Sequence, residues 1–231
     1  MARDYTDDPE LFEHMRRELF TAVVGDVMDK MGYLHQFLPP LIKPIRDDMV
    51  VIGRAMPVLE ADAFGETLSA AAGPLAEKSF GLMLEALDDL KPGEVYVAAG
   101  ASPRYALWGE LMSTRARHLG AAGAVLDGYT RDVAGIIALD FPTFAHGAYA
   151  QDQAPRGRAI DFRTTVEIDS VRVSPGDLVF GDREGVLVVP RAAEEEAIAR
   201  ALEKARGEKR VAEAIAGGMG AAEAFGKFGI L

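Results

Sequence analysis

The feature that most constrains this chain is an alternation running from about residue 94 to 147. "EVYVAAG" (94–100), "GAVLD" (123–127) and "FPTFAHG" (141–147) are short apolar runs of strand length. Between them "YALWGELMSTRARHLG" (105–120) and "RDVAGIIALD" (131–140) read as helices, the first stopped by Gly120. Strand–helix–strand–helix–strand in so little chain implies right-handed crossovers and parallel strands. A further strand, "MVVIGRAMPVLEAD" (49–62), precedes this core, and a β-only stretch, "IDFRTTVEIDSVRVSPGDLVFGDREGVLVVP" (160–190), follows it with turns at "SPGD" and "DREG". The expected class is α/β, with a βαβ core backed by a second β layer.

The ends read as helical. "PELFEHMRRELF" places Leu11, Met15 and Leu19 on one face, and "VVGDVMDKMG" is a short helix stopped by Gly32. "GPLAEKSFGLMLEALDDLKPG" (73–93) reads as a helix closed by Pro92-Gly93, and "AAEEEAIARALEKARGEKRVAEAIAGG" as a long charged helix before a short tail. With no repeat and no low-complexity linker, 1–231 is expected to be one domain: helices over 8–32, an α/β core over 50–190, and a C-terminal helix and tail over 191–231.

Composition narrows the function. A net charge of −11 argues against a nucleic-acid surface. The absence of cysteine removes disulfides, thiolate nucleophiles and cysteine zinc sites. The opening "MARDYTDDPE" is too acidic and polar for a signal peptide, and no apolar run approaches the roughly 20 residues of a membrane helix. A cytoplasmic protein is expected. His14, His35, His118 and His146 show no metal spacing, and no lysine sits in an apolar strand as a Schiff-base lysine would.

In open parallel sheets, ligands bind beyond the carboxyl ends of the strands. After "EVYVAAG" the chain reaches "GELM" at a helix start, and after "GAVLD" it reaches "RD" at another. If the two strands are neighbours, Glu110, Asp127, Arg131 and Asp132 converge with the amides of Gly109, Glu110, Leu111 and Met112. Arg131 offers a planar fork for a carboxylate, and Asp132 a hard oxygen ligand for Mg²⁺ or Mn²⁺. The competing reading is an ordinary helix start, with Asp132 as its cap and Arg131 solvated. Asp26 and Asp29 fit a capped surface helix or a neighbouring site. Arg104, Tyr105, Arg156 and Arg158 are possible contacts for a second carboxylate.

"ALWGELMSTRARHLGAAGAVLDGYTRDVAGI" resembles the core of the RraA-like family, which includes the class II 4-hydroxy-4-methyl-2-oxoglutarate aldolases. The G-[DE]-L helix start, the glycine pair, the D-G turn and the R-D pair carry the resemblance. "VVGDVMDKMG", "VSPGDLVFGDREGVLVVP" and "AAEAFGKFGIL" extend it over nearly the whole chain. It implies a fold akin to a swivelling β/β/α domain and a trimer or hexamer with active sites at subunit interfaces. It also implies a divalent metal, Mg²⁺ or Mn²⁺, on Asp132, with Arg131 on the pyruvate carboxylate and the amides of residues 109–112 on the pyruvyl unit. Glu110, where many members have Asp, would order water or move protons, and Asp26 is the best match for an acid lent by a neighbouring subunit. The implied activity is cleavage of a 4-hydroxy-2-oxo acid to pyruvate and a second oxo acid, with oxaloacetate decarboxylation alongside. Two alternatives stay open: a protein-binding regulator of ribonuclease activity without turnover, and a metal-dependent hydratase or decarboxylase on a related oxo acid.

Overall fold

The computed structural model describes residues 5–63 and 78–229. Its helices are α1 (Asp8–Glu18), α2 (Thr21–Lys30), α3 (Met83–Asp88), α4 (Glu110–His118), α5 (Val133–Ala138), α6 (Glu194–Ala216) and α7 (Ala221–Phe228). Its strands are β1 (Lys43–Pro44), β2 (Val51–Asp62), β3 (Glu94–Ala99), β4 (Ala106–Trp108), β5 (Gly123–Leu126), β6 (Tyr129–Thr130), β7 (Thr143–Ala145), β8 (Gly157–Phe162), β9 (Val166–Ile168), β10 (Val171–Val173), β11 (Leu178–Asp182) and β12 (Gly185–Val189). They fall into two compact units. One holds the helices before residue 35 and after residue 191, and the other spans His35–Arg191.

In the helical unit, α1 buries Leu11 and Met15, and α2 buries Val23, Val24, Val27 and Met28. Asp7 caps α1 by accepting a hydrogen bond from the Glu10 amide. The long α6 packs on α2, α1 and α7 and buries Ala197, Ile198, Ala201, Leu202 and Val211. Arg206 of α6 reaches Glu18 at 2.8 Å, and this guanidinium, with Arg17 second, holds the Glu18 carboxyl down at about 2.

The α/β unit is organised around an eight-stranded sheet of order β1-β7-β5-β3-β2-β11-β12, with β8 also paired to β2. Strands β2, β3, β5 and β7 run parallel, as the alternation predicts, and β8, β11 and β12 add antiparallel neighbours. The side-chain period of two separates the faces. Met56, Tyr96, Ala98, Ala124 and Leu126 point to the side covered by α3, α4 and α5, in one core with Ala86, Ala116 and Ile136. Ala55, Val95, Val97 and Val125 point to the other side, under the β9–β10 hairpin, whose Val166, Ile168, Val171 and Val173 complete the second core. That hairpin is the second β layer, while the rest of the late β segment extends the main sheet.

The sheet is nearly closed on itself. Lys43 and Pro44 pair with Ala145 and Phe144 of β7. A few residues earlier, Leu38 donates to Val186 O and Gln36 O accepts from Val188 N of β12, each at 2.9 Å. One short segment therefore stitches both edges.

Two elements differ from the sequence reading. Residues 64–77 lie outside the described region, so the expected helix over 73–93 is seen only from Lys78. There the helical part is Met83–Asp88, and Gly81 before it has a positive φ of 65°. The apolar run Ala106–Trp108, read as the opening of a helix, is strand β4, and α4 begins only at Glu110.

Candidate active site

The site is built where two short strands end side by side. Strands β4 and β6 form their own parallel pair, Ala106 beside Tyr129 and Trp108 beside Thr130. Arg131 N donates to Trp108 O at 2.9 Å, so the last residues of both strands are locked together. Buried Trp108 anchors the pair. Its ring packs between Tyr96 and Phe141, with centroids 4.9 and 6.1 Å away, and its indole N–H donates to Ser113 Oγ at 2.7 Å. Ser113 in turn donates to Gly109 O, which fixes the start of α4. Each strand then yields a helix: β4 through Gly109 into α4, β6 through Arg131 and Asp132 into α5.

Two glycines make room for the acids. A Cβ on Gly109 would stand 2.8 Å from Asp132 Oδ2 and 3.7 Å from Arg131 Nε, so the bare backbone is what admits that carboxylate. A Cβ on Gly135 would stand 2.2 Å from Glu110 Oε2, so the Glu110 side chain lies across the α5 backbone. Arg131 Nε is 3.6 Å from Asp132 Oδ2, and its Nη1 is 3.1 Å from Asp152 Oδ1. Arg131, Asp132, Val133, Ala148, Tyr149 and Ala150 line a cavity of about 360 Å³.

Asp132 is not an ordinary cap. It takes the N-cap position of α5 with φ 56° and ψ 35°, the left-handed region, and its side chain makes no capping hydrogen bond among the described residues. A capping residue has extended backbone and its oxygen on the next turn's amides; Asp132 has neither. Its carboxylate is turned toward Gly109 and Arg131 instead. α4 likewise has no side-chain cap among the described residues, so its first-turn amides remain open to a ligand. Leu111 in that turn is 84% exposed, and Met112 packs on the core.

Sequence reasoning missed the third side of the cavity, the strap Ala148–Gln153. Buried Gln153 donates to buried Glu60 Oε2 at 2.7 Å, and burial pushes the Glu60 carboxyl up to about 8. Glu60, pushed by burial toward its neutral form, thus ties down the strap next to Asp152. No periodicity marks this segment; its one signal is the polar "QDQ" (151–153).

Other candidates sit elsewhere. Asp127 faces His146, Oδ1 to Nε2 at 3.1 Å, rather than the cavity. Tyr105 is buried and donates to Asp62, Arg158 is buried against Lys78 O, and Arg104 is exposed. Arg156 is tied to the strap through Asp152 O at 3.1 Å. Asp26 belongs to the helical unit and pairs with Lys204, and Asp29 is exposed in the same helix.

A divalent cation would find one carboxylate at the cavity. Asp132 offers hard oxygen unclaimed by the helix, while the Glu110 carboxylate lies against Gly135 of α5. No group of three or more His, Cys, Asp or Glu residues is arranged for a metal among the described residues. An ion here would keep several waters, which suits Mg²⁺ or Mn²⁺ and not a closed zinc centre. No helix among the described residues is long and apolar enough to cross a membrane.

Comparison with known proteins agrees with this architecture. The family model RraA-like, described as Aldolase/RraA, matches residues 21–188. A protein of Halalkalibacterium halodurans named "Putative 4-hydroxy-4-methyl-2-oxoglutarate aldolase" is 30% identical over 190 residues, covering 81% of this chain and 80% of its own. The crystal structure of an uncharacterized protein from Pseudomonas syringae pv. tomato superposes with a TM-score of 0.78 at 26% identity, over 95% of this chain and 99% of that one. Streptomyces coelicolor RraAS2, a member of the RNase ES inhibitor RraA protein family, shares the fold at a TM-score of 0.74 and 21% identity, over 89% and 96% of the two chains. The chain belongs to the RraA-like family, Aldolase/RraA.

Proposed function

We propose that this chain is a divalent-metal-dependent pyruvate aldolase, cleaving a 4-hydroxy-2-oxo acid such as 4-hydroxy-4-methyl-2-oxoglutarate to pyruvate and a second oxo acid, with oxaloacetate decarboxylation as a side activity. The observation that carries the reading is Asp132. It occupies a strained backbone conformation and directs an uncapped carboxylate to the point where Arg131, Gly109 and the open end of α4 meet. Asp140, Arg163 and Asp169 share the positive φ; what sets Asp132 apart is that its carboxylate lies beside the cavity without capping a helix amide among the described residues. The aldolase name of the Halalkalibacterium relative points the same way.

A Mg²⁺ or Mn²⁺ ion held by Asp132 and water would supply electrophilic stabilisation of the charge that builds on the substrate keto oxygen. Arg131 pairs with the substrate carboxylate through its guanidinium fork, exchanging part of its contact with Asp152. The first-turn amides of α4 face the same anion and fix the orientation of the scissile C3–C4 bond. Glu110 receives the proton of the C4 hydroxyl, directly or through one water. The C4–O electrons form the new carbonyl as C3–C4 breaks, and the released C3 carbon takes a proton to give pyruvate. A trimer or hexamer in which a neighbouring copy supplies Asp26 is part of the proposal and rests on the family resemblance.

The test is pyruvate release from a panel of 4-hydroxy-2-oxo acids and oxaloacetate, with Mg²⁺, with Mn²⁺ and after EDTA. The expected result is turnover that vanishes on chelation and returns with either ion. Full activity after exhaustive chelation refutes the metal assignment, and no release from any member of the panel refutes the aldolase.

A further inference from the structure

The strap that closes the cavity carries a polar relay. Arg156 has only donors to offer, so the Gln151 amide must turn its oxygen toward it. In that orientation Gln151 Oε1 lies 2.6 and 2.7 Å from Arg156 Nε and Nη2, and its Nε2 lies 2.8 Å from Tyr149 Oη. The Tyr149 oxygen thereby accepts from Gln151, and its own O–H proton has no acceptor among the described residues. The phenol is held from two further sides. Tyr149 N donates to Thr130 O at 2.8 Å, and its ring meets the Tyr129 ring edge-on at 5.5 Å. Arg156 is fixed by the carbonyls of Asp152 and Ala154 at 3.1 and 3.5 Å. Tyr149 lines the same cavity as Arg131 and Asp132.

We infer that Tyr149 is a specificity-determining residue, its hydroxyl donating to an oxygen acceptor on the part of the substrate beyond C4, and that Gln151 and Arg156 position it. The inference rests on reading the cavity as a site for a dicarboxylic 2-oxo acid, and adds to that reading the residue that meets the distal carboxylate. A hydroxyl that accepts from an amide, itself bonded to a guanidinium, is polarised toward donation. Tyr149 is 44% exposed in the free chain; a bound substrate that covers its hydroxyl must offer an acceptor or leave that donor unpaired, which discriminates against a ligand that lacks one. Arg131 takes the carboxylate next to the keto group, so the two carboxylates of a dicarboxylic oxo acid meet different residues.

The experiment compares two selectivity ratios at saturating Mg²⁺, in wild type and in Tyr149→Phe. The first is kcat/KM for a 4-hydroxy-2-oxo acid with a distal carboxylate over that for 4-hydroxy-2-oxopentanoate, whose distal group is methyl. The second is the calorimetric affinity ratio of 2-oxoglutarate over 2-oxobutanoate, which needs no turnover. Both ratios are expected to favour the dicarboxylate in wild type and to fall about tenfold in Tyr149→Phe, the scale of one hydrogen bond to a charged group. Arg156→Met should lower the ratios partway and Arg156→Lys less so, with the melting temperature tracking neither. Ratios that stay within about twofold of wild type in Tyr149→Phe overturn the assignment, as does a wild type with no preference or no binding. Absent pyruvate release with the calorimetric preference intact would instead refute the aldolase and leave the contact standing.

Discussion

Replacing Asp132 separates its backbone from its carboxylate. The residue sits at φ 56° and ψ 35°, a region that costs an ordinary L-residue about 1–2 kcal/mol, with Asn and Asp the best tolerated after glycine. Asp132→Asn keeps the backbone preference and removes the charge. Asp132→Ala removes both and should cost about 1 kcal/mol, which for a chain of this size is about 2–4 °C in melting temperature. Asp132→Gly relaxes the backbone but adds freedom to the unfolded chain, and these terms oppose one another at about 1 kcal/mol each. The expected order of stability is therefore Asn close to wild type, Ala lowest, and Gly at or above Ala. Activity should not follow that order. If the carboxylate holds the metal, all three variants lose several kcal/mol of transition-state stabilisation, about a thousandfold in turnover. The assay is pyruvate release at saturating Mg²⁺ beside thermal melting of the same samples. An Asp132→Asn protein with near-normal release refutes the metal ligand. Activity that rises and falls with melting temperature across the series would make Asp132 a structural residue.

Two other outcomes follow from the same geometry. Arg131→Lys gives up the fork that reaches Asp152 and, in the proposed binding mode, the substrate carboxylate, and should raise KM for the oxo acid by about tenfold or more; an unchanged KM would place the carboxylate elsewhere. Glu60 is held up at about 8 by burial, against 4.5 for a free glutamate. Between those values unfolding releases a proton, so wild-type stability should fall with rising pH, by about 1 kcal/mol per unit, and level off above the folded value. Glu60→Gln keeps an acceptor for Gln153 and should flatten that slope, as read by denaturant melts from pH 5 to 9; equal slopes in both proteins would mean Glu60 is ionised in the fold.

The sheet core was legible because its strands are buried on both faces. Val95 to Ala99 and Ala124 to Leu126 are apolar or aromatic and buried at every position, and the helices between such runs supply the crossovers. The rule that ligands lie beyond parallel strand ends brought Glu110, Asp127, Arg131 and Asp132 to one edge; Gly109, Arg131 and Asp132 do meet there, whereas Asp127 pairs with His146. What the pattern hid was short or irregular. Ala106–Trp108 is too brief to show a period of two before the helical period of α4 begins, so it merged with the helix. Tyr149, Gln151 and Asp152 sit on a strap ordered by long-range bonds, among them Gln153 to Glu60 across 93 residues, and no local sequence signal encodes those. The capping alternative for Asp132 could not be decided from the letters "RDV", because cap and ligand share the same residue type. The backbone angle and the missing capping hydrogen bond among the described residues set the cap aside.

The stitch formed by residues 36–44 has a consequence for solubility. An open eight-stranded sheet would present two rows of unpaired N–H and C=O groups, each a template for a strand from another molecule. Here Gln36 and Leu38 occupy the β12 flank while Lys43 and Pro44 occupy the β7 flank, and Pro44 adds a position with no amide to offer. The sheet guards itself against fibril-like stacking with its own connecting segment. A cut between Leu38 and Lys43 would therefore be felt first as a tendency to aggregate, before any loss of the pocket.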